Sequence, residues 1–411
     1  MLAFSLMTFF LTSAIVLSAS LSELRKTALG KLEDVEYASQ HLSSSTLISQ
    51  RKFGNDSVIK SIEPFSWSMS DYKNAMGRGS CNINLRFDWQ KTQVIQPPIH
   101  LGTGNKSTDI EVRNGIVYIT SDSNVGSAHD FFIIDVRNPY SPQTVSSLNT
   151  GPGLAALEVA GNYVYTANLG TTHQLQIIDI SDRNAPILAS TLKLPLPRAS
   201  STPPRATALF YKNGHVYLGT EKWEGNEFSV IDVNDPHNPQ FIGGFKTDTQ
   251  INSIYINVNE AYVAASDKNQ LRVLDVTNPG SMYLIKDFSP SGWETQVGKF
   301  ITFFEDEYFL GRTTGGFNVV SNHELFALST SNDEHNSQDI PGGVYGIIER
   351  ADYIYLATKL LNKEFQIWTS DLTQKIFDYS LGSQPVALAC HENTFYFATG
   401  DEKGVLILNN T

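Results

Sequence analysis

The sequence predicts an all-β protein whose main part is a seven-bladed β-propeller. Three observations lead to this prediction: one strand motif recurs seven times, its spacing varies little, and residues that end strands follow it throughout. The motif places an aromatic residue between mostly apolar neighbours and recurs every 41 to 52 residues. A period in the forties built from short strands is typical of propellers, which have one four-stranded sheet per repeat. The seven copies are Val117–Ile119, Val164–Thr166, Val216–Leu218, Ala261–Val263, Tyr308–Leu310, Ile354–Leu356 and Phe395–Phe397.

A second apolar motif follows the first in each repeat. Asp and Asn accept hydrogen bonds from nearby backbone amides and Pro cannot donate to a sheet, so Asp135 and the following Asn138-Pro139 predict that the strand stops and turns. A further strand, such as Gln143–Leu148, gives four strands per repeat. The clear copies of the second motif are Phe132–Val136, Gln176–Ile180, Ser229–Val233 and Arg272–Val276, and weaker copies are predicted at Phe317–Ser321, Phe365–Thr369 and Val405–Asn409.

An additional strand is predicted before the first repeat, between Val94 and Leu101. The seventh repeat has no fourth strand after Val405–Asn409, and the context of the additional strand resembles that of the fourth strand in other repeats. We therefore expect the N-terminal strand to complete the last blade and close the ring. The alternative is a linear solenoid, which would leave two exposed sheet edges and an incomplete last unit.

Together the two motifs resemble the LVIVD-repeat family of cell-surface propellers. The resemblance rests on Ile-Ile-Asp-Val stretches followed by Asn-Pro, each after a Gly-x-x-Val-Tyr-type core, and it covers residues 105 to 288. It is weaker in repeats five to seven, where Ser321, Thr369 and Asn409 replace the Asp. Membership of this family would imply an extracytoplasmic location and a binding or surface role, without an agreed chemistry.

The first 42 residues predict one long helix. Residues 1–21 carry no charge and are mostly apolar, which is long enough to cross a hydrocarbon core of about 30 Å. Apolar residues from Leu21 to Leu42 then recur at spacings of three and four, which predicts an amphipathic continuation. A helix from Phe4 to Leu42 would be about 58 Å long at about 1.5 Å per residue.

Three interpretations of this segment remain open: a secretory signal peptide, a plain membrane anchor, and a leader that resembles type IV pilin-like proteins. The Ala3-Phe4 step resembles the junction where prepilins are cut, although Thr8 stands where pilins usually have Glu. The long helix favours the pilin-like interpretation, whereas Arg25 and Lys26 favour the opposite orientation in the membrane. The pilin-like interpretation implies a membrane-anchored, extracytoplasmic protein whose partners are the membrane and other pilin-like subunits.

The chain therefore divides into an N-terminal helix (1–42), a connector (43–91) and the propeller (92–411). The connector is rich in Ser but contains Trp67 and Trp89, so we expect it to be a small sheet or to pack on the propeller. Cys81 in the connector and Cys390 in the first strand of blade seven are the only two cysteines in the sequence. In an oxidising compartment they could form a disulfide; the alternative is two unrelated buried thiols.

Composition and motifs exclude several classes of function. The net charge is −12, with 42 acidic against 30 basic residues, and no cluster of Lys and Arg predicts nucleic acid as a partner. The sequence has no paired-His metal motif, no Cys-x-x-Cys, no phosphate-binding loop and no Gly-x-Ser-x-Gly elbow. We therefore predict no metal site, no cofactor and no catalytic residue.

A ligand site is expected at the mouth of the central channel, where loops enter the innermost strand of each blade. These loops carry Asp109, Arg205, Asn252, Trp293 and Tyr345, which together could bind a sugar or another small polar ligand. The alternative is that these side chains only satisfy one another around a water-filled channel. The sequence thus predicts a non-catalytic binding or adhesion module for a protein or glycan; the alternative function is an exported propeller enzyme, lactonase- or lyase-like, acting at this mouth.

Overall fold

The computed structural model describes residues 99–101, 106–122, 128–198, 202–290, 296–304, 307–313, 323–329, 334–350, 353–391, 394–401 and 404–409. These residues form seven four-stranded antiparallel sheets, so the prediction of an all-β, seven-bladed propeller is confirmed. The first strands of neighbouring blades lie side by side around the whole ring, which makes them the innermost strands.

The strand bounds follow one pattern from blade to blade. Blade one contains β2 (Lys106–Arg113), β3 (Ile116–Asp122), β4 (Phe131–Asp135) and β5 (Gln143–Leu148). Blade two contains β6 (Leu154–Ala160), β7 (Tyr163–Asn168), β8 (Leu175–Asp179) and β9 (Ile187–Leu192). Blade three contains β10 (Ala206–Lys212), β11 (His215–Thr220), β12 (Phe228–Asp232) and β13 (Gln240–Phe245). Blade four contains β14 (Ile251–Asn257), β15 (Glu260–Ala265), β16 (Leu271–Asp275) and β17 (Tyr283–Phe288), with a 3₁₀ turn at Pro279–Ser281.

The remaining blades keep this pattern. Blade five contains β18 (Gly298–Phe304), β19 (Glu307–Arg312), β20 (Leu325–Ser329) and β21 (Glu334–Gln338). Blade six contains β22 (Val344–Arg350), β23 (Tyr353–Thr358), β24 (Phe365–Thr369) and β25 (Lys375–Tyr379). Blade seven contains β26 (Pro385–His391), β27 (Thr394–Thr399) and β28 (Val405–Asn409), and its fourth strand is β1 (Ile99–Leu101).

The N-terminal strand closes the ring, as the sequence predicts. Strand β1 pairs antiparallel with β28, with Ile99 opposite Ile407 and Leu101 opposite Val405. Blade seven also packs against blade one, because Ile110 and Val117 share one apolar cluster with Tyr396. The two ends of the array are therefore joined by backbone hydrogen bonds and by side-chain packing, and the linear solenoid is excluded.

The core of the protein lies between the blades. Second strands are buried on both faces, which explains why their sequence is continuously apolar rather than alternating. The recurring aromatic residue of the first motif is at most 9% exposed in every copy. These residues are Tyr118, Tyr165, Tyr217, Tyr262, Phe309, Tyr355 and Tyr396.

The Asp that ends the third strand forms a hydrogen-bonded turn in each of blades one to four. The four residues are Asp135, Asp179, Asp232 and Asp275. In each turn the Asp side chain accepts a hydrogen bond from the backbone N–H of the residue two positions later, at 2.8 to 3.0 Å. Hydrogen bonds from that same residue hold the pKa of each carboxyl below its usual range. The predicted role of this Asp in ending the strand is confirmed.

The same turn also joins neighbouring blades. Ser146 of β5 donates to the carbonyl oxygen of Arg183 in the corresponding turn of blade two, at 2.7 Å. Ser190 of β9 donates in the same way to Pro236 of blade three, at 2.6 Å. The motif therefore fixes both the end of its own strand and the position of the preceding blade.

One strand prediction is wrong. The third strand of blade five is Leu325–Ser329, not Phe317–Ser321, which lies outside the described residues. Strand β20 pairs with β19 in the register that places Leu325 opposite Gly311 and Ser329 opposite Glu307. This register buries Leu325, Phe326 and Leu328. An apolar run alone could not show which of two nearby segments would be paired.

The predicted N-terminal helix and the whole of the predicted connector fall outside the described residues. Within the parts of the chain that are described, no helix has the length and apolar character needed to cross a membrane.

Candidate functional site

One end of the ring, here called the mouth face, collects two kinds of loop. Strands alternate in direction within each blade, so the loops between second and third strands open at the same end as the connections into the next innermost strand. The described candidate residues of the channel mouth lie on this face, at or near the start of an innermost strand.

Every innermost strand carries a β-bulge near its first residue, at the mouth face. A bulge adds one residue without a partner in the ladder and changes the direction of its side chain. The seven bulge residues occupy equivalent positions around the channel and are called the bulge ring. They are Thr108, Ala155, Thr207, Asn252, Lys299, Tyr345 and Val386.

Three side chains of the bulge ring hold neighbouring blades together. The hydroxyl of Thr108 donates to the carbonyl oxygen of Leu154, and the hydroxyl of Thr207 donates to that of Ile251, both at 2.6 Å. The amide of Asn252 donates to the carbonyl oxygen of Gly298, also at 2.6 Å. In each case the acceptor immediately precedes the bulge residue of the next blade, so the three bonds are equivalent and structural.

The five predicted ligand-binding residues occupy different kinds of position. Asn252 and Tyr345 belong to the bulge ring and are partly exposed. Arg205 lies immediately before β10 and is exposed, with its backbone paired to Glu221. Asp109 follows its bulge residue and is buried. Trp293 lies outside the described residues.

Asp109 connects blades one and two. Its carboxylate accepts the backbone N–H of Ile110 at 2.9 Å and that of Leu157 at 3.0 Å. Glu111, also buried, accepts the N–H of Val159 at 2.7 Å and forms an ion pair with Arg113. Buried carboxylates need such donors, and these bonds between innermost strands give both residues a structural function.

The charged side chains near Tyr345 are different. Lys299 is the bulge residue of blade five, and Lys359 directly follows β23 of blade six. The Nζ of Lys359 lies 4.0 Å from the centroid of the Tyr345 ring. Burial lowers the pKa of both lysines, and the charge of Lys359 lowers that of Lys299 further. Lys299 keeps partial contact with solvent although protein surrounds it, as expected for a side chain in a narrow channel.

Most buried acids and amides of the mouth face hold loops in place. In five blades the residue before the third strand accepts a backbone N–H from the connection to the next blade. The accepting side chains are those of Asp130, Gln174, Glu227, Glu324 and Glu364. The donating N–H groups belong, in the same order, to Thr150, Leu194, Thr247, Ile340 and Leu381, at 2.8 to 3.0 Å. The repeated geometry shows that these groups stabilise the loops.

Glu324 combines this function with an unusual environment. Its other carboxylate oxygen accepts the side-chain amide of Gln296 at 2.6 Å. Burial, together with a hydrogen bond to Asp339, raises the pKa of Glu324 to about 7. The neighbouring Arg312 is fully buried, donates to the carbonyl oxygen of His323 at 2.8 Å and lies 5.3 Å from the Phe326 ring centroid. Glu324 is therefore a group that can change its protonation near neutral pH.

No group of three or more His, Cys, Asp or Glu side chains suited to a metal occurs among the described residues. Cys390 is buried in β26 and is disulfide-bonded. Its predicted partner, Cys81, lies outside the described residues, so that pairing stays a prediction.

Comparison with known sequences supports the predicted repeat. Residues 104–150, 155–193 and 252–289 match the LVIVD repeat, which covers repeats one, two and four. No curated protein matches the chain in sequence.

Comparison with solved structures shows the fold. The WD40 β-propeller domain of Doa1 is similar over 77% of this chain and 97% of its own, with a TM-score of 0.56 and 11% identity. A chain of the mitotic checkpoint complex is similar over 77% and 94%, with a TM-score of 0.59 and 11% identity. A Bacteroides fragilis protein described as a candidate 6-phosphogluconolactonase is similar over 68% and 85%, with a TM-score of 0.54 and 11% identity. At such identities the likeness shows the propeller alone.

Sequence reasoning missed Lys299 and Lys359. Lys299 stands in an ordinary strand sequence, Gly298–Phe304, and Lys359 in a short polar loop. The signal that could have found Lys299 is its equivalence to Asn252 and Tyr345 once the repeats are aligned on their innermost strands. Lys359 has no such signal, because its contact with Tyr345 depends on the register of β22 and β23, which places Val344 opposite Thr358.

Proposed function

We propose that this chain is a non-catalytic binding module whose ligand occupies the channel mouth over blades four to six. One observation supports this proposal above the others. Thr108, Thr207 and Asn252 of the bulge ring donate to the next blade, whereas the side chains of Lys299 and Tyr345 make no such bond among the described residues. These two polar side chains are partly exposed and differ in their bonding from the bulge residues that join neighbouring blades.

The environment of the buried carboxylates supports a non-catalytic role. Asp109 and Glu111 accept backbone amides of blade two, and Glu227 and Glu364 accept amides of their own loops. A general acid or a metal ligand has to present its oxygens to the substrate or metal instead. The alternative function, an exported lactonase- or lyase-like enzyme, is supported only by the shared fold.

We further propose that the propeller is displayed outside the cytoplasm on its N-terminal segment. This part of the proposal rests on the apolar residues 1–21, the amphipathic pattern up to Leu42 and the LVIVD repeats. Mass spectrometry of the native N-terminus tests it. A mature protein that begins at Phe4 supports the pilin-like interpretation, and one that retains Met1 supports a plain anchor. A start near Leu21 would instead indicate a secreted protein.

The binding proposal is tested with labelled full-length protein on glycan arrays and on intact cells. Tyr345→Leu leaves a smaller apolar side chain and removes the aromatic face, so binding should fall about tenfold or more, about 1.4 kcal/mol. Tyr140→Leu is the matched control, because Tyr140 is 55% exposed and lies in the turn between β4 and β5 at the opposite end of the ring. Its binding should equal that of the wild type.

Two outcomes would contradict this proposal. Equal binding by the wild type and Tyr345→Leu would show that the mouth is not used. Turnover of a lactone or polysaccharide that is lost in Asp109→Asn, with the thermal midpoint unchanged, would establish the enzyme alternative.

A further inference from the structure

Lys299 and Lys359 place two ammonium groups together at the mouth face of adjacent blades. Lys299 and Tyr345 are successive residues of the bulge ring. The Nζ of Lys359 lies 4.0 Å from the centroid of the aromatic ring of Tyr345. This placement agrees with the lowered pKa of Lys299, to which burial contributes most and the charge of Lys359 second. Three side chains from two blades therefore form one cationic cluster, which we call the lysine cluster.

Neither ammonium group of the lysine cluster has a hydrogen bond or ion pair in the part of the chain that the structure describes. Lys246 on the same face shows the usual arrangement: its Nζ contacts the carbonyl oxygens of Trp223 and Gly225 at 2.9 and 3.1 Å and the carboxylate of Glu227 at 3.3 Å. Acidic residues are in excess in this chain, 42 against 30 basic ones. A shortage of carboxylates is therefore not the reason for the missing partner.

An empty lysine cluster is unfavourable. Burial and mutual repulsion both disfavour the charged forms, and for this reason buried charges in proteins are normally paired. A requirement for packing alone could be met by an uncharged side chain of similar length at either position. An anion between the two ammonium groups would remove their repulsion and replace the water that they have lost.

We infer that the channel mouth over blades five and six binds a small dianion, a phosphate group or a dicarboxylate, between the ammonium groups of Lys299 and Lys359. This inference rests on the proposed function and names the class of ligand for the same mouth. Two ammonium groups match two negative charges, and charge-assisted hydrogen bonds are the strong ones. Tyr345 is a positioning residue, because its ring holds the Nζ of Lys359 by a cation–π contact.

The inference is tested by isothermal titration of the full-length protein at neutral pH with inorganic phosphate, malonate and acetate. Phosphate or malonate should bind at least about tenfold more tightly than acetate, and the tighter of the two identifies the source of the dianion. Lys299→Gln and Lys359→Gln should each weaken its binding about tenfold to a hundredfold. Lys268→Gln is the matched control, because Lys268 is an exposed lysine on the mouth face of blade four, and its affinity should be unchanged.

A conservative variant separates a binding role from a structural one. Lys299→Arg keeps the positive charge and should recover most of the affinity that Lys299→Gln loses. Loss of binding in both variants, with the thermal midpoint lowered in both, would show that Lys299 only supports the fold and would overturn the inference.

The remaining outcomes distinguish this inference from the proposed function. If phosphate and malonate bind Lys299→Gln as well as they bind the wild type, or bind neither, the dianion inference is wrong. A neutral glycan whose binding needs Tyr345 but neither lysine would overturn this inference and leave the proposed function standing. If no ligand on the arrays or cells depends on Tyr345, both fail.

Discussion

Replacement of Gly243 by Ala should destabilise the propeller by forcing blades three and four apart. Gly243 lies in β13 at the position that corresponds to Ser146 in β5 and Ser190 in β9, where the outer strand touches the turn of the next blade. An added Cβ would lie 3.1 Å from the Cα of Pro279 and well inside contact distance of the Pro279 carbonyl oxygen. Because the obstacle is backbone, no rotation of a side chain can relieve the overlap.

The expected loss is about 2 to 3 kcal/mol, the upper part of the range for overpacking. For a domain of this size it should lower the thermal midpoint by about 3 to 5 °C. Urea unfolding followed by tryptophan fluorescence measures the free energy, and a thermal scan by circular dichroism measures the midpoint. Circular dichroism before unfolding should be unchanged, since no strand is removed.

Gly280→Ala is the matched control, because Gly280 directly follows Pro279 in the turn Pro279–Ser281 that Gly243 contacts. The nearest atom to a Cβ at Gly280 is the Oδ1 of Asn278 at 3.4 Å, which is ordinary contact. This variant should be neutral or slightly more stable, by about 0.5 kcal/mol, because Ala restricts the unfolded chain. If Gly243→Ala unfolds within about 0.5 kcal/mol of Gly280→Ala, the inferred packing between these blades is wrong.

Two further predictions concern titratable residues. Asp232→Ala removes two hydrogen bonds, to the backbone N–H and side-chain amide of Asn234 at 2.9 and 2.8 Å, and should cost about 1 kcal/mol in urea unfolding at neutral pH. These bonds depress the carboxyl pKa, so the difference from wild type should disappear as the pH falls through that pKa; a constant difference down to strongly acidic pH would contradict this. For Glu324 the sign is opposite: its pKa rises from 4.5 to about 7 on folding, so the wild type should lose up to about 3 kcal/mol of stability as the pH rises across that interval. Glu324→Gln should remove this loss, and an equal loss in the variant would refute the assignment.

The blade pattern could be predicted from the sequence because its causes are local. A strand buried on both faces needs a continuous apolar run, and Asp followed by Asn-Pro ends a strand by bonding to amides two residues away. Asp135 and Asp232 do this in the structure. The prediction failed where two apolar segments competed in blade five, since the choice of Leu325–Ser329 depends on pairing with β19.

The sequence alone determined the number of blades, the closing strand and the turn chemistry of this protein, because short-range periodicity and hydrogen bonding fix them. Only the tertiary structure decided which side chains meet at the mouth. Asp109 looked like a ligand-binding residue in sequence but accepts a backbone N–H of blade two, whereas Lys299 and Lys359 were inconspicuous but lie at the mouth face of adjacent blades. The physical reason is that neighbours in the bulge ring are about 45 residues apart in sequence, so their contacts depend on strand register and ring closure rather than on any local pattern.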